Sequence, residues 1–241
     1  MKDTMGLVAT IKKLNRRVSS DFIGSNKYWK KSPSNILLYE ASKKALAEWA
    51  QDKLILDAGA GRLAYRELIK QFAAKYTSSD FMQTHPDLDV VTDIEDMPFK
   101  TGQFEVVFCS QVLEHVPHPW LAFGEIHRVL KKNGVAIITV PMLGYIHNAP
   151  YDFFRYTEFG LKNMAEDAGF TVKELAAIGG FFSFLGYVRS TLIMPLFGLP
   201  LVGDVIFWTN YLCAKLDIFL DTVVPNKRIF PLNYLLVVHK N

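Results

Sequence analysis

The feature that most constrains this fold is the glycine loop in KLILDAGAGRLAYREL, residues 53–68. A short apolar run precedes the loop and a helical pattern follows it, so the chain passes from a buried strand through a tight turn into a helix. Such a turn brings bare backbone and a helix N-terminus close to a bound nucleotide. Read as G-x-G-x-x-A (Gly59, Gly61, Ala64), the loop matches the dinucleotide fingerprint. Read from Asp57 as D-x-G-x-G, it indicates an adenosyl cofactor instead, and the loop alone leaves both cofactors open.

Strand-like runs and helical patterns alternate after this loop. Strands are predicted at 53–57, 75–80, 88–92, 104–109, 134–140 and about 170–176, with a last strand in NYLLVVHK. Helices are predicted at about 63–74, 119–132 and 157–168, and an earlier helix has Ser34 or Asn35 as its N-cap. This alternation predicts an α/β protein whose mostly parallel sheet is covered by helices on both faces.

Composition narrows the class of protein further. At 241 residues, with 50% hydrophobic and 21% charged residues, the chain suits one large α/β domain with insertions and not a disordered or fibrous protein. The only cysteines are Cys109 and Cys213, too few for a disulfide framework or a zinc site, so we expect a cytoplasmic protein without a metal. The N-terminal residues have no apolar stretch of signal-peptide length, which agrees with that location.

Acidic residues at the strand ends separate the two cofactors. Asp80 ends the second strand and suits the ribose hydroxyls under either interpretation, while Asp93 ends the third. Carboxylates converging near Asp57 favour a cationic sulfonium group and disfavour a nicotinamide cofactor, whose pyrophosphate is anionic.

Several ordered motifs now carry a resemblance to a family: LILDAGAG, DIEDMPF, FEVVFCSQVLEHV and EIHRVLKKNG. Residues 53–177 and the terminal strand resemble the class I S-adenosylmethionine-dependent methyltransferases, in particular those with a type 11 methyltransferase domain. The resemblance implies a Rossmann-like fold with a seven-stranded sheet, and S-adenosylmethionine as the cofactor. One departure is Leu63, which stands where the common pattern has a third glycine.

The resemblance also implies roles for individual residues around the cofactor. Asp57, Gly59 and Gly61 would flank the methionine end. Asp80 would hold the ribose, and Asp93 with Ile94 would frame the adenine. Gln111, together with His115, would line the site after the fourth strand.

Methyl transfer is an in-line displacement, so holding the acceptor near the sulfonium methyl can supply most of the catalysis. A hydroxyl acceptor would also benefit from a base, and the candidates on loops facing the cofactor are His115, His147 and Asp152. His115 could equally be a packing residue. Arg155 could bind an anionic substrate group or pair with a nearby carboxylate.

The sequence divides into a basic arm (1–34), a methyltransferase domain (35–177 and 223–241) and an apolar helical insertion (178–222). Residues 1–31 contain eight basic and two acidic residues, a net +6 in a chain whose net charge is +3. In the insertion, Arg189 separates two uncharged runs that are each too short to span a membrane, and a very apolar helix is predicted from Val205 to Asp221. The insertion could lie in a lipid interface, pack in a core or homodimer, or form a re-entrant segment.

These observations predict a methyltransferase that O-methylates a glycan, lipid or lipid-linked acceptor, in the cytoplasm or peripherally on the inner membrane face. The aromatic interleaving typical of nucleic-acid readers is absent from the basic arm, so no nucleic-acid partner is expected. Two alternatives remain: an NAD(P)-dependent oxidoreductase, and a cofactor-binding scaffold without turnover.

Overall fold

The computed structural model describes residues 13–15, 17–18, 20–224, 226 and 229–241. The chain forms two compact units. The sheet unit comprises Glu40–Ile178 and Asn233–Asn241, and the helical unit comprises the described residues up to Tyr39 together with those of Gly179–Leu232. Lys2, Lys12 and Arg16, three of the basic residues of the predicted arm, lie outside the described residues.

Across the described residues, seven strands form one sheet in the order β3-β2-β1-β4-β5-β7-β6. The strands are β1 Lys53–Ala58, β2 Ala73–Asp80, β3 Val90–Val91, β4 Phe104–Ser110, β5 Leu130–Pro141, β6 Phe170–Ile178 and β7 Asn233–Lys240. β7 is antiparallel to both β5 and β6, and the other pairs are parallel. The predicted seven-stranded, mostly parallel sheet is therefore confirmed.

The α-helices whose two ends lie in the described residues are α1 Asn26–Lys30, α2 Pro33–Trp49, α3 Arg66–Ile69, α4 Pro119–Val129, α5 Glu158–Asp167, α6 Phe181–Ile193 and α7 Gly203–Val223. Short 3-10 helices cover Leu113–His115 and Met194–Gly198. Thr157 caps α5 as predicted, since its side chain accepts a hydrogen bond from the Gly160 N–H. The predicted caps of α2 are wrong: the helix already begins at Pro33, and Ser32 Oγ accepts from the Asn35 N–H at 3.3 Å.

Two predicted boundaries also differ from the structure. Only Arg66–Ile69 of the predicted helix 63–74 is helical, because β2 begins at Ala73 to pair with Lys53 of β1. α4 ends at Val129 and β5 begins at once, so Gly134 lies inside a strand instead of stopping a helix. A Cβ at Gly134 would lie 2.8 Å from the Lys131 carbonyl oxygen, which explains the glycine there.

The sheet is buried on both faces. On one face, Leu56 and Ile138 share a hydrophobic core with Phe123 and Ile126 of α4 and with Leu161 of α5. The neighbouring residues in the strands point to the other face and are also fully buried, among them Ile55, Phe108 and Ile137. Burying one such side chain stabilises the fold by about 1.5–3 kcal/mol, so apolar runs in these strands are expected for a sheet covered on two sides.

In the helical unit, α6 and α7 are joined by polar side chains that pair inside an otherwise apolar environment. Arg189 on α6 donates to Asp217 on α7 at 2.7 Å, and Ser190 Oγ lies 3.1 Å from Asn210 Oδ1. Asp221 accepts from the backbone N–H groups of residues 182 and 183, at the N-terminus of α6. A carboxylate at this helix end satisfies otherwise unpaired donors and complements the helix dipole.

The stretch Phe181–Gly198 is long and apolar enough, at a mean hydropathy of 1.3, to cross a membrane by length and composition; 28% of it is buried. This stretch includes Arg189, so it is compatible with the expectation that each uncharged run is too short by itself. Arg189 is paired with Asp217, so its charge does not interrupt the helix. A single stretch of this kind also occurs in soluble helical cores and does not decide between the interpretations of the insertion.

Candidate active site

The glycine loop follows β1 and is held by the end of β2. The N–H groups of Gly59 and Ala60 both donate to the Ser79 carbonyl oxygen at 2.8 Å. Gly59 and Gly61 have φ angles of +79° and +54°, in the left-handed region that glycine adopts without steric cost. The loop therefore has the backbone conformation for which its glycines are suited.

The two glycines have different surroundings. A Cβ at Gly59 would lie 2.3 Å from Cγ2 of Val112, the residue that follows Gln111 after β4. Apart from Gly61 itself and the residues on either side of it in the chain, no heavy atom lies within 4 Å of a Cβ built at Gly61. Gly59 is thus required by packing inside the protein, whereas Gly61 faces open space.

Leu63, the departure from the glycine pattern, also has a left-handed backbone, with a φ of +60°. Its side chain is 7% exposed, so the leucine is buried in the protein. The turn keeps the conformation that a glycine would favour, and the burial of Leu63 offsets a left-handed cost of about 1–2 kcal/mol.

Asp80, at the end of β2, organises the glycine loop. Its Oδ2 accepts from the Gly61 N–H at 2.8 Å, and its Oδ1 accepts from the Met82 N–H at 3.3 Å. The Thr84 hydroxyl donates to the Gly61 carbonyl oxygen and fixes the loop from the other side. A carboxylate has about four lone-pair sites, so Asp80 retains capacity to accept hydrogen bonds from two ribose hydroxyls.

Asp57 is almost fully buried, at 3% exposure. Loss of solvation raises its pKa to about 7, the hydrogen bond from Tyr76 opposes that rise, and the nearby Asp80 adds to it. The Tyr76 hydroxyl lies 2.9 Å from Asp57 Oδ2. A carboxylate in this state gains its charge more readily when a cationic group binds next to it.

The remaining predicted cofactor residues follow β3 and β4. Asp93 is exposed and its Oδ1 accepts from the Glu95 N–H at 2.9 Å, while Ile94 is 9% exposed and belongs to the main core. Gln111 has a left-handed φ of +57° and its N–H donates to the Thr139 carbonyl oxygen at 2.8 Å. Asp57, Asp80 and Gln111 thus all lie at the carboxyl ends of β1, β2 and β4, where ligands bind in open α/β sheets.

The predicted catalytic residues come together in a second cluster beside this edge. His115 follows β4 in the 3-10 helix, and His147 and Asp152 lie in the loop after β5. The rings of His115 and His147 meet edge to face with centroids 4.7 Å apart. The backbone N–H of His147 donates to Asp152 Oδ2 at 2.7 Å. The structure therefore joins three residues that the sequence places up to 37 positions apart.

Asp152 is paired with Arg155, as in the interpretation that gives the arginine a nearby carboxylate as its partner. The guanidinium donates to both carboxylate oxygens, at 2.6 Å and 3.0 Å, and also to the Tyr145 carbonyl oxygen at 2.9 Å. Hydrogen bonding to Arg155 lowers the pKa of Asp152 to about 2. Asp152 is thus a weak base that positions the loop, not a good acceptor for a substrate proton.

His115 has surroundings that suit a base better than those of Asp152. Its Nδ1 lies 2.5 Å from the Tyr151 carbonyl oxygen, which orients the ring, and burial lowers its pKa. A neutral imidazole at neutral pH can take a proton. Beside it, Glu114 is fully buried, and burial raises the pKa of its carboxyl to about 8.

Sequence reasoning missed several polar groups of the site. Tyr76 reaches Asp57 because residues 76, 78 and 80 share one face of β2, an alternation that was available in the sequence. The hydroxyls of Tyr65, Ser110 and Thr139 form a chain with separations of 3.2 Å and 2.7 Å at the ends of β4 and β5. This row of hydroxyls depends on the register of the sheet, so no local sequence motif predicts it.

Comparison with known proteins adds to this geometry. Residues 56–138 match the model of a methyltransferase domain family. An uncharacterized protein of Methanocaldococcus jannaschii is 35% identical over 94 residues, which are 37% of this chain and 41% of that protein. The chain thus aligns with less than half the length of that relative.

Solved structures share the fold. The 4+2 cyclase SpnF superposes with a TM-score of 0.59 at 15% identity, over 83% of this chain and 81% of that one. A Burkholderia thailandensis 1,6-didemethyltoxoflavin-N1-methyltransferase, solved with bound 1,6-didemethyltoxoflavin and S-adenosylhomocysteine, gives a TM-score of 0.56 at 16% identity, over 85% and 78% of the two chains. Likeness at this identity shows the fold and not the reaction. Residues 56–138 are thus similar to a methyltransferase domain, and the chain shares the Rossmann-like fold of these solved structures.

Proposed function

We propose that this protein transfers the methyl group of S-adenosylmethionine to a hydroxyl oxygen of a glycan, lipid or lipid-linked acceptor. The observation that carries the proposal is the convergence of the Gly59–Gly61 turn, Asp57 and Asp80 at the carboxyl edge of the sheet. Asp80 would accept hydrogen bonds from the ribose, and Asp57 would face the cationic methionine end.

The reaction is a single displacement. The acceptor oxygen forms a bond to the methyl carbon as the carbon–sulfur bond breaks, the electron pair stays on sulfur, and S-adenosylhomocysteine leaves. The hydroxyl proton passes to a base, for which His115 is the best-placed candidate. Positioning of the acceptor supplies most of the rate enhancement, and the base adds about 10²–10⁴-fold.

The helical unit supports an apolar acceptor at a membrane surface. Large apolar side chains spaced three or four residues apart are exposed along α6 (Phe181, Leu185, Val188, Leu192) and along α7 (Val205, Trp208, Leu212, Leu216, Phe219). Leu201, between these helices, is 99% exposed. Exposed apolar stripes of this length are typical of surfaces that enter a lipid interface or bind another protein.

Two lysines of the N-terminal arm already have contacts within the helical unit. Lys27 pairs with Asp204, and Lys30 lies over the rings of Trp208 and Tyr211 at 5.4 Å and 5.7 Å. These two lysines are thus partly occupied within the helical unit. The proposed membrane contact therefore depends mainly on the apolar stripes, with a smaller contribution from anionic lipid.

Cofactor binding tests the central proposal. Calorimetry should detect S-adenosylmethionine binding to the full chain, and Asp80→Ala should weaken it at least 10-fold. Asp87→Ala is the matched control, since Asp87 is an exposed aspartate paired with Arg66 and lies outside the glycine loop. Binding of NAD(P) without S-adenosylmethionine would support the oxidoreductase alternative instead, and equal affinity in wild type and Asp80→Ala would refute the assigned site.

Acceptor class and turnover need a separate assay. Methyl-labelled cofactor incubated with membrane and glycan extracts should give label in the lipid or glycan fraction. A protein that binds the cofactor but labels no fraction would support the scaffold alternative.

Membrane contact is tested by flotation with anionic vesicles. Leu201→Asp combined with Leu212→Asp should abolish flotation, whereas Phe159→Asp, at a 76% exposed position of the sheet unit, should not. Wild-type protein that remains unbound at low salt would refute the membrane proposal, and a dimer in solution would then account for the apolar stripes.

A further inference from the structure

We propose that Glu114, His115 and His147 form a binding site for one divalent transition-metal ion. Each residue offers one ligand atom, and these atoms lie within 4.8 Å of one another. Among the described residues this is the group of histidine, cysteine and acidic side chains that meets such a criterion. The sequence predicts no metal, because two adjacent ligands and a third one 32 positions later match no ligand-spacing motif.

Glu114 supplies the buried carboxylate of the proposed site. It is 0% exposed, and neither carboxylate oxygen has a hydrogen-bond partner in another described residue. An ionised carboxylate in such a place is costly unless a cation or donor satisfies it. The backbone carbonyl of Glu114 accepts from the N–H groups of residues 153 and 154, so the loop after β5 is tied to this position.

His115 is oriented as a metal ligand would be. Its Nδ1 lies 2.5 Å from the Tyr151 carbonyl oxygen, and in the tautomer that donates this hydrogen bond the lone pair is on Nε2. That Nε2 atom lies 3.7 Å from Glu114 Oε1. A ligating histidine usually donates its other ring N–H to a backbone carbonyl or a carboxylate, as here.

His147 has surroundings of the same kind. Its Nδ1 lies 3.2 Å from the Tyr145 carbonyl oxygen and 3.6 Å from Asp152 Oδ2. Arg155 donates to both of these groups and holds them in place. The two histidines are thus supported by separate backbone carbonyls while their rings meet edge to face.

Two imidazoles and one carboxylate indicate the class of ion. This donor set suits Zn²⁺, Fe²⁺, Co²⁺ or Mn²⁺ more than Mg²⁺, which prefers oxygen ligands. Metal–ligand bonds of about 2.0–2.2 Å place tetrahedral ligand atoms about 3.3–3.6 Å apart. The His115 Nε2–Glu114 Oε1 pair at 3.7 Å is close to this distance, and a separation as wide as 4.8 Å would have to close by about 1–1.5 Å. Three protein ligands leave positions open for water or substrate.

The open position gives the ion a role, and this part of the inference rests on the proposed function. The three proposed metal ligands lie on the loops after β4 and β5. β4 is next in the sheet to β1, the strand that precedes the glycine loop. A hydroxyl bound to the ion loses its proton more easily, which helps methyl transfer to oxygen. His115 would then act as a ligand, and the proton would leave to solvent.

Binding is tested on the full chain after treatment with EDTA and dialysis. Co²⁺, Zn²⁺, Mn²⁺ and Mg²⁺ are titrated separately by calorimetry, with Co²⁺ also followed by its visible absorption. We expect one Co²⁺ or Zn²⁺ per chain, and at least 10-fold weaker binding in His147→Ala and Glu114→Gln. His118→Ala is the matched control, because His118 also contacts a carboxylate, that of Glu95 at 3.1 Å, but is exposed.

The outcomes separate this inference from the proposed function. Glu114→Gln replaces a buried group, so His147→Ala, in an outer loop, keeps the test decisive if the first variant does not fold. Wild-type protein that takes up no ion, or equal affinity in His147→Ala and wild type, would overturn the metal site even if S-adenosylmethionine binds. Methyl transfer that rises when the stripped enzyme is loaded with the ion supports the assigned role, and an unchanged rate in the loaded enzyme overturns it.

Discussion

Replacing Gly59 and Gly61 with alanine, one at a time, should separate a large loss of stability at Gly59 from a loss of cofactor binding at Gly61. Both residues have a left-handed backbone, which costs alanine about 1–2 kcal/mol. At Gly59 the new Cβ would also lie 2.3 Å from Val112 Cγ2, and such overpacking typically costs about another 1–3 kcal/mol. Alanine also restricts the unfolded chain, which returns part of this cost, so Gly59→Ala should lower the free energy of unfolding by about 3 kcal/mol in all. At Gly61 the space is open, so a loss of about 1 kcal/mol is expected.

Thermal unfolding and calorimetry distinguish the two variants. Gly59→Ala should lower Tm by roughly 6–12 °C and Gly61→Ala by roughly 2–4 °C, for a chain of this length. Gly61→Ala should nevertheless bind S-adenosylmethionine at least 10-fold more weakly, because its methyl group enters the space assigned to the cofactor. Val112→Ala in the Gly59→Ala background should recover part of the lost stability, since it removes both contacting methyl groups.

The reasoning fails if the two variants are equally stable, because the contact with Val112 then has no energetic consequence. It also fails if Gly61→Ala binds the cofactor as the wild type does. In that case the open side of the glycine loop is not where the cofactor lies.

Three further predictions concern single side chains. Asp57→Asn should be more stable than the wild type by roughly 3 kcal/mol at pH 8 and by much less at pH 4, because the raised pKa of Asp57 makes the wild type lose stability as the pH rises from about 4 to about 7; equal urea midpoints at pH 8 would contradict this. Arg155→Ala should lower the free energy of unfolding by about 2 kcal/mol at pH 7 and by about half as much at pH 3, because the lowered pKa of Asp152 stabilises the fold above its unfolded pKa and this effect is lost toward pH 2; a pH-independent difference would speak against the pairing. Leu63→Gly should destabilise the protein by about 1–3 kcal/mol, since the lost burial outweighs the relieved backbone, and a higher Tm in differential scanning calorimetry would show the opposite.

Much of the fold could be predicted because its strands are buried on both faces. Ile137 and its neighbours form an apolar run without alternation, and the glycine loop marks where the first strand becomes a turn. Boundaries were harder to predict: α3 is four residues long, and Gly134 lies in a strand although it resembles a helix stop. Both differences follow from strand register, which depends on residues far away in the sequence.

In the candidate site too, residues within local motifs could be predicted, whereas contacts between distant residues could not. The glycine loop and Asp80 lie within local motifs, and the structure places them at one edge of the sheet as expected. The burial of Glu114 cannot be predicted from its local sequence, because the loop after β5 that hydrogen-bonds to this residue is about forty positions away. The sequence allows Arg155 to pair with a nearby carboxylate or to bind an anionic substrate group, and the structure identifies Asp152 as a paired carboxylate through two guanidinium hydrogen bonds.

The position of β7 has a consequence for how the chain acquires its structure during synthesis. β7 lies between β5 and β6, so β6 has no strand to pair with until residues 233–240 have left the ribosome. β6 therefore waits more than fifty residues for its partner, with backbone donors and acceptors exposed to other chains. Nascent chains halted before Asn233 should be cut readily within residues 170–178 and should recruit holdase chaperones, whereas chains that include β7 should resist the same protease.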